Sequence, residues 1–303
     1  MKTVYYRVAD FDFGVCLPSE AEPARLLPSF EPFRRKGEDP ADCLFRFRLQ
    51  EDAEAGKKEP SGRLLEESLN DMGRIRLYAV AEGYEVSVQY ADENTYWMRA
   101  AADFSRVSAC IVLTDGWAGY VLSSMLRIAY SQAVLGRKAI SLHASAVYAD
   151  GGAYLFTGRS GTGKSTHAAL WIRRFPACGL LNDDNPTVRV REGEVLVYGT
   201  PWSGKTPCYR NLSFPVRGIV RLNQAKVNRF FPCEDIEAFA SLLPGCSVIR
   251  QDRHLYNCLC DTLVDMCGRI PVGKLDCLPD EEAAAVCRKA VDGRYRVMRE
   301  MIR

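Results

Sequence analysis

Gly158-Arg159-Ser160-Gly161-Thr162-Gly163-Lys164-Ser165 stands between an apolar, strand-like stretch, Ala153-Tyr-Leu-Phe-Thr157, and a helix-forming one, Thr166-His-Ala-Ala-Leu-Trp171. The eight residues fit the pattern G-x-x-x-x-G-K-[ST] of a phosphate-binding loop. The glycines let the backbone curl until successive N–H groups face phosphate oxygens. The following helix adds the positive end of its dipole, with Thr166 in its first turn. Lys164 is expected to reach the β- and γ-phosphates, and the Ser165 hydroxyl to ligate Mg²⁺. By residue frequency alone the bare pattern arises in a chain of this length about once in a hundred. The strand before it and the helix after it are the context the motif needs.

Downstream, Leu180-Leu181-Asn182-Asp183-Asp184 ends a second apolar strand in two carboxylates. Beside a bound nucleotide such a pair divides its work: one carboxylate holds the metal and the other accepts a proton from an attacking hydroxyl. We assign Asp183 as the base and Asp184, with Ser165, to Mg²⁺, although sequence alone does not separate the two roles. His143, in Ser141-Leu-His-Ala-Ser-Ala-Val147, lies fifteen residues before Gly158, within reach of the loop if neighbouring strands pair. A lone histidine usually serves structure, and His167 and His254 are read that way. From Val195 to Cys233 there is no Asp or Glu, while Lys205, Arg210, Arg217, Arg221, Lys226 and Arg229 all occur. A kinase needs cations around the transferring group, and Lys205 and Arg210, in and just after a Gly/Pro-rich loop, are the substrate-binding candidates. The alternative is a solvated positive face. No nucleic-acid recognition motif accompanies these charges.

Leu142-His-Ala-Ser-Ala146, Phe156-Thr-Gly-Arg-Ser-Gly-Thr-Gly-Lys-Ser-Thr166 and Asn182-Asp-Asp184 together resemble the nucleotide-binding core shared by HPr kinase/phosphorylase and ATP-dependent phosphoenolpyruvate carboxykinase. The resemblance is tight over some forty residues and loose over Leu122–Asp280. It implies a mixed-sheet α/β core, ATP as the nucleotide, and active-site roles for His143 and the aspartate pair. It also implies assembly into a homo-oligomer, for which the sequence shows no interface pattern. The chain is shorter than a carboxykinase, and lacks that enzyme's upstream arginine and lysine ligands and the glycine-rich C-terminal signature of HPr kinase/phosphorylase. The HPr substrate therefore does not carry over. The expected reaction is transfer of the γ-phosphoryl group of ATP to a hydroxyl of a protein, peptide or metabolite. A nucleotide-dependent switch or adaptor without an acceptor is the alternative, and carboxykinase-like chemistry a third.

Working outward, strand-like residues at Val4–Val8, Ile75–Ala81 and Tyr84–Tyr90 predict a β-rich N-terminal region, 1–115, interrupted at Gln50–Arg63 by a polar stretch that reads as a surface loop or a poorly ordered segment. Trp117–Leu135 reads as a helix, with Val121, Leu122, Met125, Leu126 and Ala129 at helical spacing. A boundary is placed just before it, near Asp115–Gly116, so that 116–303 forms the nucleotide-binding domain. Within it, strands are expected at Ala139–Tyr148, Ala153–Thr157, Gly179–Asp183, Thr187–Arg191, Val195–Tyr198 and Gly218–Leu222. The C-terminal third is expected to be helical, over Glu234–Leu243, Leu255–Cys267 and Asp280–Val291.

The 303 residues are 47% hydrophobic and 26% charged, with a net charge of +2. That suits a globular chain with a sizeable core and gives no global attraction to nucleic acid or membrane. Val107–Ala129, the most apolar stretch, is broken by Asp115 and Arg127, too soon for a membrane span. The N-terminus lacks the pattern of an export signal, so a cytoplasmic location is expected. Twelve cysteines without a C-x-x-C pair in the cysteine-rich C-terminal segment read as reduced thiols rather than a disulfide framework or a zinc site.

Overall fold

A computed structural model describes residues 1–37, 39–50, 60–70, 73–89, 94–204 and 206–302. The chain divides into two compact units, Met1–Val134 and Leu135–Arg303. The expected boundary at Asp115–Gly116 lies one helix earlier.

The first unit is a mixed eight-stranded sheet. Its strands are β1 (Lys2–Val8), β2 (Phe11–Leu17), β3 (Arg46–Gln50), β4 (Arg63–Asn70), β5 (Gly73–Val80), β6 (Gly83–Gln89), β7 (Thr95–Ala101) and β8 (Arg106–Cys110), in the order β1-β2-β3-β8-β7-β6-β5-β4. The short helix α1 (Pro23–Leu26) and the longer α2 (Ala118–Ala133) complete it. Alternation along β3 and β8 sends Phe47, Leu49, Val107 and Ala109 to the core and Arg46, Arg48 and Arg106 to solvent. Helix α2 buries the anticipated stripe, Val121, Leu122, Met125, Leu126 and Ala129. The aromatic centre joins Phe13 to Phe45 at 4.8 Å and to Tyr130 of α2 at 6.0 Å. Five of these strands, β2, β3, β4, β7 and β8, lie outside the expected segments; β3 is held only by partners distant in the chain, whereas β2, β4, β7 and β8 pair with chain neighbours. Most of the expected Gln50–Arg63 loop, and Tyr90, lie outside the described residues.

The second unit is α/β, with a mixed nine-stranded sheet. Its elements are β9 (Ala139–Ser141), β10 (Ala144–Ala149), β11 (Gly152–Thr157), α3 (Lys164–Arg174), β12 (Gly179–Asn182), β13 (Thr187–Arg191), β14 (Glu194–Tyr198), β15 (Ser213–Gln224), β16 (Arg229–Cys233), α4 (Asp235–Leu242), α5 (Arg253–Cys267), β17 (Val272–Cys277) and α6 (Glu281–Ile302). Strand β10 runs antiparallel to both β12 and β11. Strand β11 is parallel to β15, and β15 to β17. The long β15 also pairs through Ser213–Pro215 with β14, so the sheet branches there into the antiparallel run β14-β13-β9.

Two expectations are corrected. The single strand expected at Ala139–Tyr148 is two, β9 and β10. At the break the Leu142 N–H donates to Pro186 O (3.1 Å) and the His143 N–H to Gly245 O (2.7 Å), so these residues leave the ladder. The C-terminal third holds the three expected helices, α4, α5 and α6, but is not simply helical: β16 precedes them and β17 falls between α5 and α6. Strand β17, Val-Gly-Lys-Leu-Asp-Cys, has weak intrinsic preference and is held by neighbours on both sides.

One face of this sheet is sealed by α3 and α6. Phe156, Val220, Leu222 and Leu275 pack there against Ala168, Leu170, Trp171, Ala284, Cys287 and Val291. Trp171 is fully buried, with ring centroids 4.4 Å from Tyr154, 5.4 Å from Phe156 and 5.2 Å from Phe175. Truncating it to alanine is expected to cost about 3–5 kcal/mol. This packing fixes α3, and with it the loop that enters α3, against the C-terminal ends of β11 and β15. All twelve cysteines are free thiols, and no helix among the described residues is long and apolar enough to cross a membrane.

Candidate active site

The loop leaves β11 at Thr157. Gly158 has φ +149°, Gly161 +80° and Gly163 +95°, values that side chains resist. A Cβ on Gly158 would stand 2.6 Å from Thr162 Oγ1. The loop closes on itself, with the Thr162 N–H and hydroxyl both donating to Arg159 O, at 3.2 and 2.8 Å. Its apex is tied to the end of β15 by Gln224 Nε2, which donates to Gly161 O at 3.2 Å. Gly163 occupies the N-cap of α3 and has no side chain to cap it. The first N–H groups of the helix, on Lys164, Ser165 and Thr166, therefore have no side-chain acceptor at the cap, the arrangement that receives an anion. Arg159, Ser160, Ser165 and Thr166 are exposed. Lys164 Nζ donates back to Gly158 O (3.2 Å) and Arg159 O (3.4 Å). Burial pushes its pKa below the ordinary lysine value, and Asp184 and Asp183 oppose that shift.

The carboxylates are delivered by a turn built on the fully buried Asn182. Its Oδ1 accepts from the N–H groups of Asp184 (3.0 Å) and Asn185 (2.9 Å), while its Nδ2 donates to Trp202 O at 3.0 Å. A side chain closing the turn two residues on is the habit of asparagine. Asp183 is 6% exposed. Its Oδ1 accepts from Ser145 Oγ at 2.7 Å, and its Oδ2 is buried with no hydrogen-bond partner. Asp184 is differently engaged: Oδ1 lies 3.0 Å from His143 Nδ1 and Oδ2 accepts from Asn185 Nδ2 at 3.0 Å. The loop after β14 comes down on the pair, since a Cβ on Gly204 would meet Asp183 O at 2.8 Å.

His143, Asp183, Asp184 and Lys164 are thus gathered around one end of the sheet. His143 is there because it sits at the break between β9 and β10, with its side chain 42% exposed. Lys205 lies outside the described residues. Arg210 is held elsewhere: its Nη1 donates to Tyr148 Oη at 3.0 Å. Tyr148 pairs with Ala153 at the start of β11, about 10 Å along β10 from Ser145. His167 is buried behind the loop, with Nε2 accepting from Trp171 Nε1 at 3.0 Å; burial holds its pKa down at about 4. His254 lies on α5, 3.9 Å from Cys258 Sγ. Ser145 was not singled out by sequence reasoning. A serine inside an apolar strand carries no signal until the register sets it opposite a buried aspartate.

Among the described residues no group of three or more His, Cys, Asp or Glu side chains is placed to hold a metal ion by itself. A magnesium ion that arrives with a nucleotide needs only one or two protein ligands and takes the rest from phosphate and water. Asp184, with its side chain 20% exposed, and the exposed Ser165 fit that donor set.

No protein-family model matches the chain, and no curated protein matches it. Among solved structures, the Hpr(Ser) kinase/phosphatase from Coxiella burnetii aligns with 53% of this chain and 98% of its own, at a TM-score of 0.30 and 12% identity. A likeness at that level is a weak structural resemblance.

Proposed function

We propose that the second unit binds ATP through Gly158–Thr166 and transfers its γ-phosphoryl group to a hydroxyl acceptor. The observation that carries this reading is the buried, unpartnered Oδ2 of Asp183 beside a glycine-rich loop and a half-buried lysine. A buried carboxylate oxygen without a donor costs free energy, and a donor presented by a substrate would remove that cost. The acceptor hydroxyl is such a donor.

In this mechanism the loop N–H groups and Lys164 hold the phosphates. Ser165 and Asp184 would hold a Mg²⁺ ion, which would supply neutralisation of phosphate charge. Asp184 accepts from His143 and Asn185 and still retains lone pairs for a metal or its water. Asp183, oriented by Ser145, takes the proton of the acceptor hydroxyl as the new O–P bond forms, while the bond to the β-phosphate oxygen breaks and ADP leaves. His143 steers Asp184 through Nδ1.

The test is incubation of the protein with Mg²⁺ and γ-labelled ATP, with and without a lysate or metabolite pool from its own source. A labelled product that is absent with Lys164→Ala would establish a kinase and identify the acceptor by mass. Nucleotide binding without label transfer under any condition would overturn the kinase reading in favour of a nucleotide-dependent switch.

A further inference from the structure

The face of the second sheet opposite α3 carries a cation that the scheme above does not use. Phe156, Val220 and Leu222 face α3 and α6, so by alternation Thr157 and Arg221 face the other way. Parallel register sets Thr157 beside Arg221 and Arg221 beside Lys274. Thr157, the last residue before the phosphate loop, is 2% exposed, and its Oγ1 has no hydrogen-bond partner. Arg221 is half-buried and makes no hydrogen bond or ion pair with a described residue. The nearby carboxylates are engaged by others: Glu237 of α4 accepts from Lys274 Nζ at 2.6 Å, and Asp276 accepts from Asn223 Nδ2 at 2.7 Å. A half-buried guanidinium beside another cation, next to an orphaned hydroxyl, is an unfinished constellation.

We propose that Thr157 and Arg221 form an oxyanion subsite that receives a carboxylate or phosphate carried by the acceptor, on the side of β11 away from α3. The inference deepens the kinase reading and rests on it for the word acceptor; the anion site itself does not. Arg221 presents a fork of donors suited to two oxygens of one anion, and the Thr157 hydroxyl has a proton to give. The acceptor class that follows is an anionic hydroxy compound, or a hydroxy residue flanked by an acidic or phosphorylated one.

The experiment titrates inorganic phosphate, and in parallel acetate, into the protein saturated with a non-hydrolysable ATP analogue, followed by calorimetry. Wild type is expected to bind one of these anions, and Arg221→Gln to bind it about tenfold more weakly with analogue affinity unchanged. Thr157→Val, which keeps the shape and removes the hydroxyl, is expected to weaken the same anion and leave thermal stability equal or higher. Lys164→Ala separates the two readings: anion binding that survives it belongs to Arg221 even if the loop binds no nucleotide. Equal anion affinity in wild type and Arg221→Gln would overturn the subsite. So would a parallel loss of analogue affinity in Arg221→Gln, which would give this arginine to the nucleotide instead.

Discussion

Replacing Asp183 by asparagine separates binding from chemistry. The carboxylate is 6% exposed, takes one hydrogen bond from Ser145 and leaves Oδ2 unpartnered. Asparagine has nearly the same shape, and its amide oxygen can still accept from Ser145, so the turn on Asn182 is undisturbed. Removing a buried charge with one oxygen unpaired relieves a desolvation cost of about 1–3 kcal/mol. The lost attraction to Lys164 and the amide N–H donors left without an acceptor in place of Oδ2 offset this, and the thermal midpoint is expected to change little. A general base contributes about 10²–10⁴ in rate, or about 2.7–5.4 kcal/mol of transition-state free energy. Turnover is therefore expected to fall by that factor, while nucleotide affinity, set by the loop and Lys164, changes by less than about threefold. Initial rates of γ-label transfer measure the turnover, and fluorescent-analogue titration the affinity. Undiminished turnover would refute the assignment of the base. A stable protein that no longer binds nucleotide would show that Asp183 serves ground-state binding rather than proton transfer.

Three further outcomes follow from the same geometry. Gly158→Ala places a Cβ 2.6 Å from Thr162 Oγ1 at a φ of +149°; a strain of about 1–3 kcal/mol is expected to weaken nucleotide binding about tenfold to a hundredfold, with Thr162→Ala restoring only the steric part. Lys164 has a folded pKa below 10.5 because of burial, so just below that pH the free protein holds fewer protons there than the unfolded chain, and stability from this group rises with pH. Anionic phosphates favour the charged lysine, so nucleotide binding in that window is expected to take up protons, seen as a buffer-dependent enthalpy that vanishes in Lys164→Met. His167 is held neutral, with its pKa moved from 6.5 to about 4. Between those values the unfolded chain binds the extra proton, so stability is lost as pH falls through the window, by about 3 kcal/mol in all. His167→Gln is expected to flatten the thermal midpoint over this range.

The parts of the site legible in the sequence are those whose chemistry lies in consecutive residues. The loop was readable because glycines, lysine and serine at fixed spacing specify one backbone path, and the path's φ values at Gly158, Gly161 and Gly163 are ones that glycine alone tolerates well. The turn at Asn182 was readable as a strand ending in carboxylates, because it is closed by bonds to the next two and three residues. Helix α2 and strand β6 were readable from periodicity, and β11 from its apolar run. Strands β2, β3, β4, β7, β8, β16 and β17 were not: β3, β16 and β17 rest on partners distant in the chain, while β2, β4, β7 and β8 pair with chain neighbours and are recognised only by their register.

Sequence by itself thus determined that residues 158–166 form a glycine-rich turn between a strand and a helix, and that two carboxylates follow it. Tertiary structure decided which carboxylate is buried and open, because that depends on the β10–β12 register that sets Ser145 against Asp183. It also decided that His143 reaches Asp184, through backbone bonds to Pro186 and Gly245 that break a continuous apolar stretch. It moved Arg210 to Tyr148 and set Arg221 beside Thr157. Conformational preferences act over a few residues, whereas strand register follows from the burial of whole faces, and no short stretch contains that information.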